Sequence, residues 1–381
     1  MRKPLITIII ILLQAAMLRP AFGQDGVELS VKGFADSYHA VRVESPNDWM
    51  SSRTRLRAEA TLEKDGAGLF ASANLIYNAV LKDKSGFQLR EVYSFWGSEH
   101  WDVRAGKQII SWGVADGLRV TDLISPMDYS EFLAQDYDDI RIPVGALRVR
   151  YSRDKWSLDM VAVPVAEFFN IPLDPKNPWS IQMGPVQIGP EPEAKFHNME
   201  YGARLSFFLS GIDFSLTALH TWNKMPELRG NVFGYHRLGV FGGDVSVPVG
   251  QFVIRGEAAE NLDDENVSTL NSLLGVDWYP GNDWNVSLQY NRNHRFEGSD
   301  RNTDLATFRL SKALLGNTLT LQTFAYIDVT DGGIFNRLSA DYAVSDEVHA
   351  LLGYDYFHAD KGMFTFYANN SEIWVKLKYS F

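Results

Sequence analysis

The sequence predicts an all-β fold: a single transmembrane antiparallel up-and-down β-barrel of 18 strands, with 16 as the alternative count. Three observations predict it. Apolar and polar residues alternate with period two from end to end, short and long connections alternate, and the final strand stops on an aromatic residue.

The alternation defines the strands. Thr54, Leu56, Ala58, Ala60 and Leu62 interleave with Arg53, Arg55, Arg57 and Glu59. Leu147, Val149 and Tyr151 interleave with Arg148, Arg150 and Ser152, and Trp284, Val286, Leu288 and Tyr290 with Asn285, Ser287, Gln289 and Asn291. Because successive side chains leave a strand on opposite faces, each strand has one apolar and one polar face. A soluble sandwich shows the same pattern, so the connections decide between the two.

Short turns are expected at Lys64-Asp65-Gly66, Gly97-Ser98-Glu99, Arg153-Asp154, Ser210-Gly211, Val249-Gly250, Pro280-Gly281-Asn282, Leu315-Gly316-Asn317 and Ser345-Asp346. They carry the Gly, Asn, Asp, Ser and Pro that turn geometry favours. Longer connections fall at 43–50, 82–86, 112–142, 165–196, 223–234, 261–269, 294–303, 330–333 and 358–371. Eight short and nine long connections join 18 strands. All the short turns then lie at one end, which in outer-membrane barrels is the periplasmic end. Trp101, Trp156, Trp278, Trp284, Tyr290 and Tyr379 are placed near that end as an interfacial aromatic girdle.

The last strand has Ile373, Val375, Leu377, Tyr379 and Phe381 on one face and Trp374, Lys376, Lys378 and Ser380 on the other. This ending resembles the C-terminal assembly signal of bacterial outer-membrane proteins, with Tyr379 and Phe381 as its residues. The resemblance implies periplasmic chaperones and the barrel-assembly machinery as partners.

At the other end, Arg2 and Lys3 precede an apolar run over Leu5 to Leu13, and Ala21-Phe22-Gly23 supplies small residues before Gln24. This reads as a signal peptide over 1–23, which leaves a barrel over 24–381 with no room for an N-terminal plug. The expected location is the bacterial outer membrane, with its lipid as solvent for the apolar face. Across 381 residues there is no Cys, which excludes disulfides, Cys-ligated metals and thiol nucleophiles. The net charge of −11 argues against nucleic acid.

A barrel of this size is wide enough for a water-filled passage. Its inward positions mix bases with acids, including Glu59, Asp159, Glu200, Glu257, Asp277 and Asp355. Two readings stand: ion pairs that brace the lumen, or a selectivity path. Arg53, Arg55 and Arg57, with Lys376 and Lys378 on the closing strand, form a basic arc that Arg148 and Arg150 extend. Such arcs favour anionic solutes.

The connection 112–142 either folds inward as a constriction or lies outside as a lid. Its constriction candidates are Asp122, Asp128 and Glu131. Pro126 and Asp128 predict a short helix running from Tyr129 to Leu133. Asp136, Asp138 and Asp139, like Asp263, Asp264 and Glu265, lack EF-hand spacing and read as solvated acidic loops. The connection 165–196 contains Pro172, Pro175, Pro178, Pro185, Pro190 and Pro192 and is expected to be extended.

Gly106, Gln108, Trp112, Gly113, Asp122, Pro126 and Asp128 together resemble the G-x-Q, W-G, D, P-x-D segment of the DUF1302-type barrel family. That resemblance implies an outer-membrane, porin-like channel. The function expected is passive or weakly selective passage of small hydrophilic solutes, anionic ones among the candidates. The alternatives are a non-conducting receptor, adhesin or assembly barrel, or a barrel-embedded hydrolase. With no G-x-S-x-G elbow and no H-E-x-x-H, the chain reads as a non-enzyme without cofactor or metal.

Overall fold

The computed structural model describes residues 26–132, 135–137, 139–181, 187–229, 232–264, 267–296 and 301–381. The signal-peptide segment 1–23 and the positions Leu133, Asp138, Pro185 and Glu265 lie outside them.

Period-two sequence becomes strand wherever a turn returns the chain to its neighbour. Eighteen strands do so: β1 Glu28–Arg42, β2 Trp49–Lys64, β3 Ala67–Asn78, β4 Gly86–Gly97, β5 Trp101–Gln108, β6 Val144–Arg153, β7 Trp156–Val163, β8 Glu200–Leu209, β9 Ile212–Trp222, β10 Arg237–Val249, β11 Phe252–Asp263, β12 Ser268–Gly281, β13 Trp284–Arg295, β14 Thr303–Leu314, β15 Leu319–Asp328, β16 Ile334–Ala343, β17 Val348–His358 and β18 Glu372–Ser380. Each pairs antiparallel with the next, and β18 closes on β1 from Phe34 opposite Ser380 to Arg42 opposite Glu372. The sheet therefore has no free edge.

All eight predicted turns fall at one end and all nine predicted long connections at the other. At the turn after β12, Asn282 and Asp283 have φ of 51° and 59°. Both residue types tolerate this left-handed region, which the right-twisted hairpin needs.

The outer face is apolar. Leu69, Leu147, Leu216, Leu274, Leu288, Leu338, Leu352 and Leu377 are all exposed there. An apolar wall around a closed sheet is what a hydrocarbon solvent requires, since every backbone N–H and C=O must be paired within the protein. At the short-turn end Trp101 packs on Tyr151 at 4.7 Å between ring centroids, and Trp278 stacks on Phe252 at 6.0 Å. Tyr290 departs from its predicted place. It sits mid-strand opposite Leu274 and Ala306, and its hydroxyl donates to Asp304 at 2.8 Å, at the long-connection end of β14. That rim also exposes Trp49, Tyr77, Phe87, Tyr201 and Phe241.

The apolar core lies inside the barrel. Ile110, Trp112, Leu118, Val120 and Ile124, all from the connection between β5 and β6, pack with Tyr38, Met50, Val161, Leu273, Phe335, Phe357 and Trp374 of the wall. This connection folds inward. The helix expected from Tyr129 to Leu133 does not form among the described residues. The Asp128 N–H donates to the Ile140 carbonyl at 2.6 Å and the Tyr129 N–H to the Asn170 carbonyl at 2.8 Å. These extended pairings compete with helical ones, and Phe132 takes a φ of 45°. The connection between β7 and β8 is largely irregular, as its prolines require; a two-residue strand at Gln187–Ile188 pairs with Val232–Gly234.

Candidate functional site

The infolded segment crosses the lumen because its side chains and backbone complete polar groups on opposite walls. On the β1–β2 side the partners are mostly charged. Glu131 accepts from Ser51 at 2.8 Å and from Arg53 at 3.2 Å. Asp139 pairs with Arg55 at 2.9 Å and Arg57 at 2.7 Å, and Arg55 also forks onto Asp36 at 2.6 and 3.1 Å. Asp136 pairs with Lys376 at 2.8 Å and Asp128 with Lys84 at 3.4 Å.

On the opposite side the wall reaches for the segment's backbone. One Glu257 oxygen accepts from the N–H groups of Val114 and Ala115 at 2.9 and 3.0 Å, and the other from the Thr121 N–H at 2.8 Å and its hydroxyl at 2.7 Å. Gln289 exchanges hydrogen bonds with the Asp116 backbone at 3.0 and 2.9 Å, and Tyr326 donates to the Gly117 carbonyl at 2.5 Å. Gly113 has a φ of +93°, and a Cβ there would fall 2.5 Å from a Glu257 oxygen, so the grip needs glycine at this position. Asp116 adds an ion pair on this side, to Arg309 at 2.7 Å.

The basic residues singled out by sequence thus occupy one wall but do not form a bare ring. Arg53, Arg55 and Arg57 are buried and ion-paired. Arg148 and Arg150 both pair with Asp159 on the neighbouring strand, Arg150 at 2.8 Å, which the Trp112 indole also reaches at 3.4 Å. The Lys378 ammonium lies 4.7 Å from the centre of the Phe34 ring. Of the constriction candidates, Glu131 binds the wall and Asp128 pairs with Lys84 of the connection between β3 and β4. Asp122 braces the segment itself, accepting from Arg141 at 2.5 Å and from the Trp112 N–H at 3.1 Å.

The reading of Asp139 as a solvated loop acid is corrected: it is the counter-ion of Arg55 and Arg57, whereas Asp136 is exposed and pairs with Lys376. Burial alone would raise the Asp139 carboxyl, but the two guanidiniums outweigh it and hold the group well below its ordinary value. Sequence reasoning could not pair residues so far apart. Glu257 and Arg309 were visible only among several inward acids and bases, and Gln289 and Tyr326 gave no separate signal.

Two polar recesses flank the segment. The first, about 180 Å³, is lined by Arg53, Arg55, Arg57, Lys84, Arg90 and Arg141 against Asp128, Glu131 and Asp139. The second, about 230 Å³, has Arg53, Arg337 and Lys376 against Asp136 and Asp341. Bases outnumber acids in both. Among the described residues no group of three or more His, Cys, Asp or Glu could hold a metal ion.

Two solved structures share this architecture. Pseudomonas aeruginosa OccK11 (OpdR) aligns over 92% of this chain and 95% of its own, with a TM-score of 0.58 at 9% identity. A doubly substituted variant of OccD1 (OprD) aligns over 93% and 95%, with a TM-score of 0.57 at 9% identity. At such identity the likeness is one of fold. No curated protein sequence matches the chain. The family model described as protein of unknown function (DUF1302) matches residues 83–369, which include the whole 112–142 connection and its Glu257 anchor but not Arg53, Arg55, Arg57 or Lys376, and the chain belongs to that family.

Proposed function

We propose that this protein is a porin-like channel of the bacterial outer membrane that passes small hydrophilic solutes, with a preference for anions. The observation that carries the reading is the first recess, where six basic side chains face three acidic ones beside a segment that narrows the lumen. Bases in excess along a constriction lower the electrostatic barrier for anions and raise it for cations. The apolar outer wall and closed sheet support a lipid setting. The alternating last strand that ends in Tyr379 and Phe381 supports delivery by chaperones and barrel-assembly machinery. No hydrolytic role is assigned.

The test is a reversal-potential measurement on the refolded protein in a planar bilayer under a salt gradient. The sign expected is anion-selective. Cation selectivity at low salt would overturn the preference, and absence of conductance would overturn the channel. One observation favours a second reading, a non-conducting receptor or adhesin: the segment is fastened to both walls, as a seal would be. Conductance separates the two.

A further inference from the structure

Above the infolded segment, at the long-connection end, lies a cavity of about 580 Å³ whose surface is overwhelmingly apolar. Four separate connections build it, contributing among others Tyr129, Phe132, Phe169, Met225 and Phe364. Its size is that of a small-molecule site, and such sites pair an apolar lining with a few placed polar groups. Two cationic side chains reach it. Lys224 is neutralised by Glu200 at 2.5 Å. Arg119 has no carboxylate partner among the described residues: its Nε and Nη2 donate to the Asp122 and Ser125 carbonyls at 2.6 and 2.7 Å, its Nη1 is buried without a hydrogen bond, and its guanidinium lies 5.1 Å from the centre of the Phe169 ring. A cation held at an apolar surface without a counter-ion is unfavourable until an anion arrives.

We propose that this cavity is a binding site for an apolar carboxylate, whose hydrocarbon body fills the aromatic lining and whose anion neutralises Arg119. The described residues between Asp128 and Arg141 line both the cavity and the basic recess. Tyr129, Phe132 and Tyr137 line the cavity, and Asp128, Glu131, Asp139 and Arg141 the recess. The Arg141 guanidinium lies 5.2 Å from the centre of the Tyr137 ring, so the two sites meet there. Calling the ligand a cargo rests on the channel reading; the binding itself does not.

The experiment is titration calorimetry on the full protein in nanodiscs, with empty nanodiscs as blank and 4-phenylbenzoate as probe, compared with its neutral amide. Saturable binding of one carboxylate per barrel is expected, with the amide weaker by about tenfold. Arg119→Gln should remove that difference while the amide still binds. Met225→Trp, which fills the cavity without touching the charge, should abolish both. No saturable binding above the blank overturns the site. Equal binding of acid and amide, or no effect of Arg119→Gln, overturns the carboxylate. Conductance measured on the same preparation reports the channel separately.

Discussion

Asp139 accepts from Arg57 at 2.7 Å, joining two residues 82 positions apart and fixing the infolded segment to β2. The same carboxylate holds Arg55, so one acid offsets two guanidiniums in the recess.

Replacing that acid should expose the charge it hides. Asp139→Asn is expected to shift the reversal potential toward stronger anion selectivity, because Arg55 and Arg57 lose a shared counter-ion. Breaking a buried pair also costs about 3–5 kcal/mol, so the segment should loosen and conductance rise. An unchanged reversal potential would place the ion path elsewhere.

The acid response follows from the same group. The Asp139 carboxyl, whose ordinary pKa is 3.8, is depressed in the folded protein. A depressed carboxylate adds stability that is fully present above its unfolded value and is lost as pH falls through the folded one. Conductance and Trp112 fluorescence are therefore expected to stay level from neutrality to about pH 4 and to change only in stronger acid. A transition centred near neutrality would point to a different group.

Glu257 takes four hydrogen bonds from Val114, Ala115 and Thr121. Glu257→Ala should release this end of the segment, because charged hydrogen bonds are worth about 1.5–3 kcal/mol each before compensation by water. Faster amide exchange at residues 113–121 and noisier single-channel currents are the readouts. Protection equal to wild type would show that Gln289 and Tyr326 suffice.

Leu274 faces outward mid-barrel and is 61% exposed. If acyl chains surround it, Leu274→Arg should lower folding stability in bilayers by about 2–4 kcal/mol, the usual penalty for a basic residue at the midplane. Urea titration in lipid vesicles measures it. A neutral result would mean that the outer wall is not immersed in hydrocarbon.

The seam offers a further test. Gly33 and Phe381 exchange backbone hydrogen bonds at 3.0 and 2.9 Å, and a Cβ on Gly33 would fall 2.2 Å from the Arg57 carbonyl and 2.7 Å from the Phe381 ring. Gly33→Val should reduce the heat-modifiable, folded band on gels, whereas Val31→Ile, on the open outer face, should not.

The barrel could be read from sequence because its two signals are local. Thr54 to Leu62 shows its faces within nine residues, and Asn282 beside Asp283 announces its own turn. The lumen could not be read so fully. Length and glycines allowed the 112–142 connection to fold in, but its anchors depend on Glu257 and Arg309, which lie far along the chain. The helix expected from Tyr129 fails because Ile140 and Asn170 offer better backbone partners. Tyr290 was assigned to the wrong rim because a mid-strand residue can lean toward either end. The apolar cavity left no trace, since its lining comes from four connections with no shared periodicity.

The two fastenings of the infolded segment differ in what they read. Near β2 the wall recognises particular side chains, so Glu131, Asp136 and Asp139 are irreplaceable in kind. At Glu257 the wall binds mainly main-chain amides, which nearly every amino acid carries. Substitutions at Val114 and Ala115 can therefore accumulate without unfastening that end. A channel engineer has a stretch there to rewrite freely, and a fixed vocabulary opposite it.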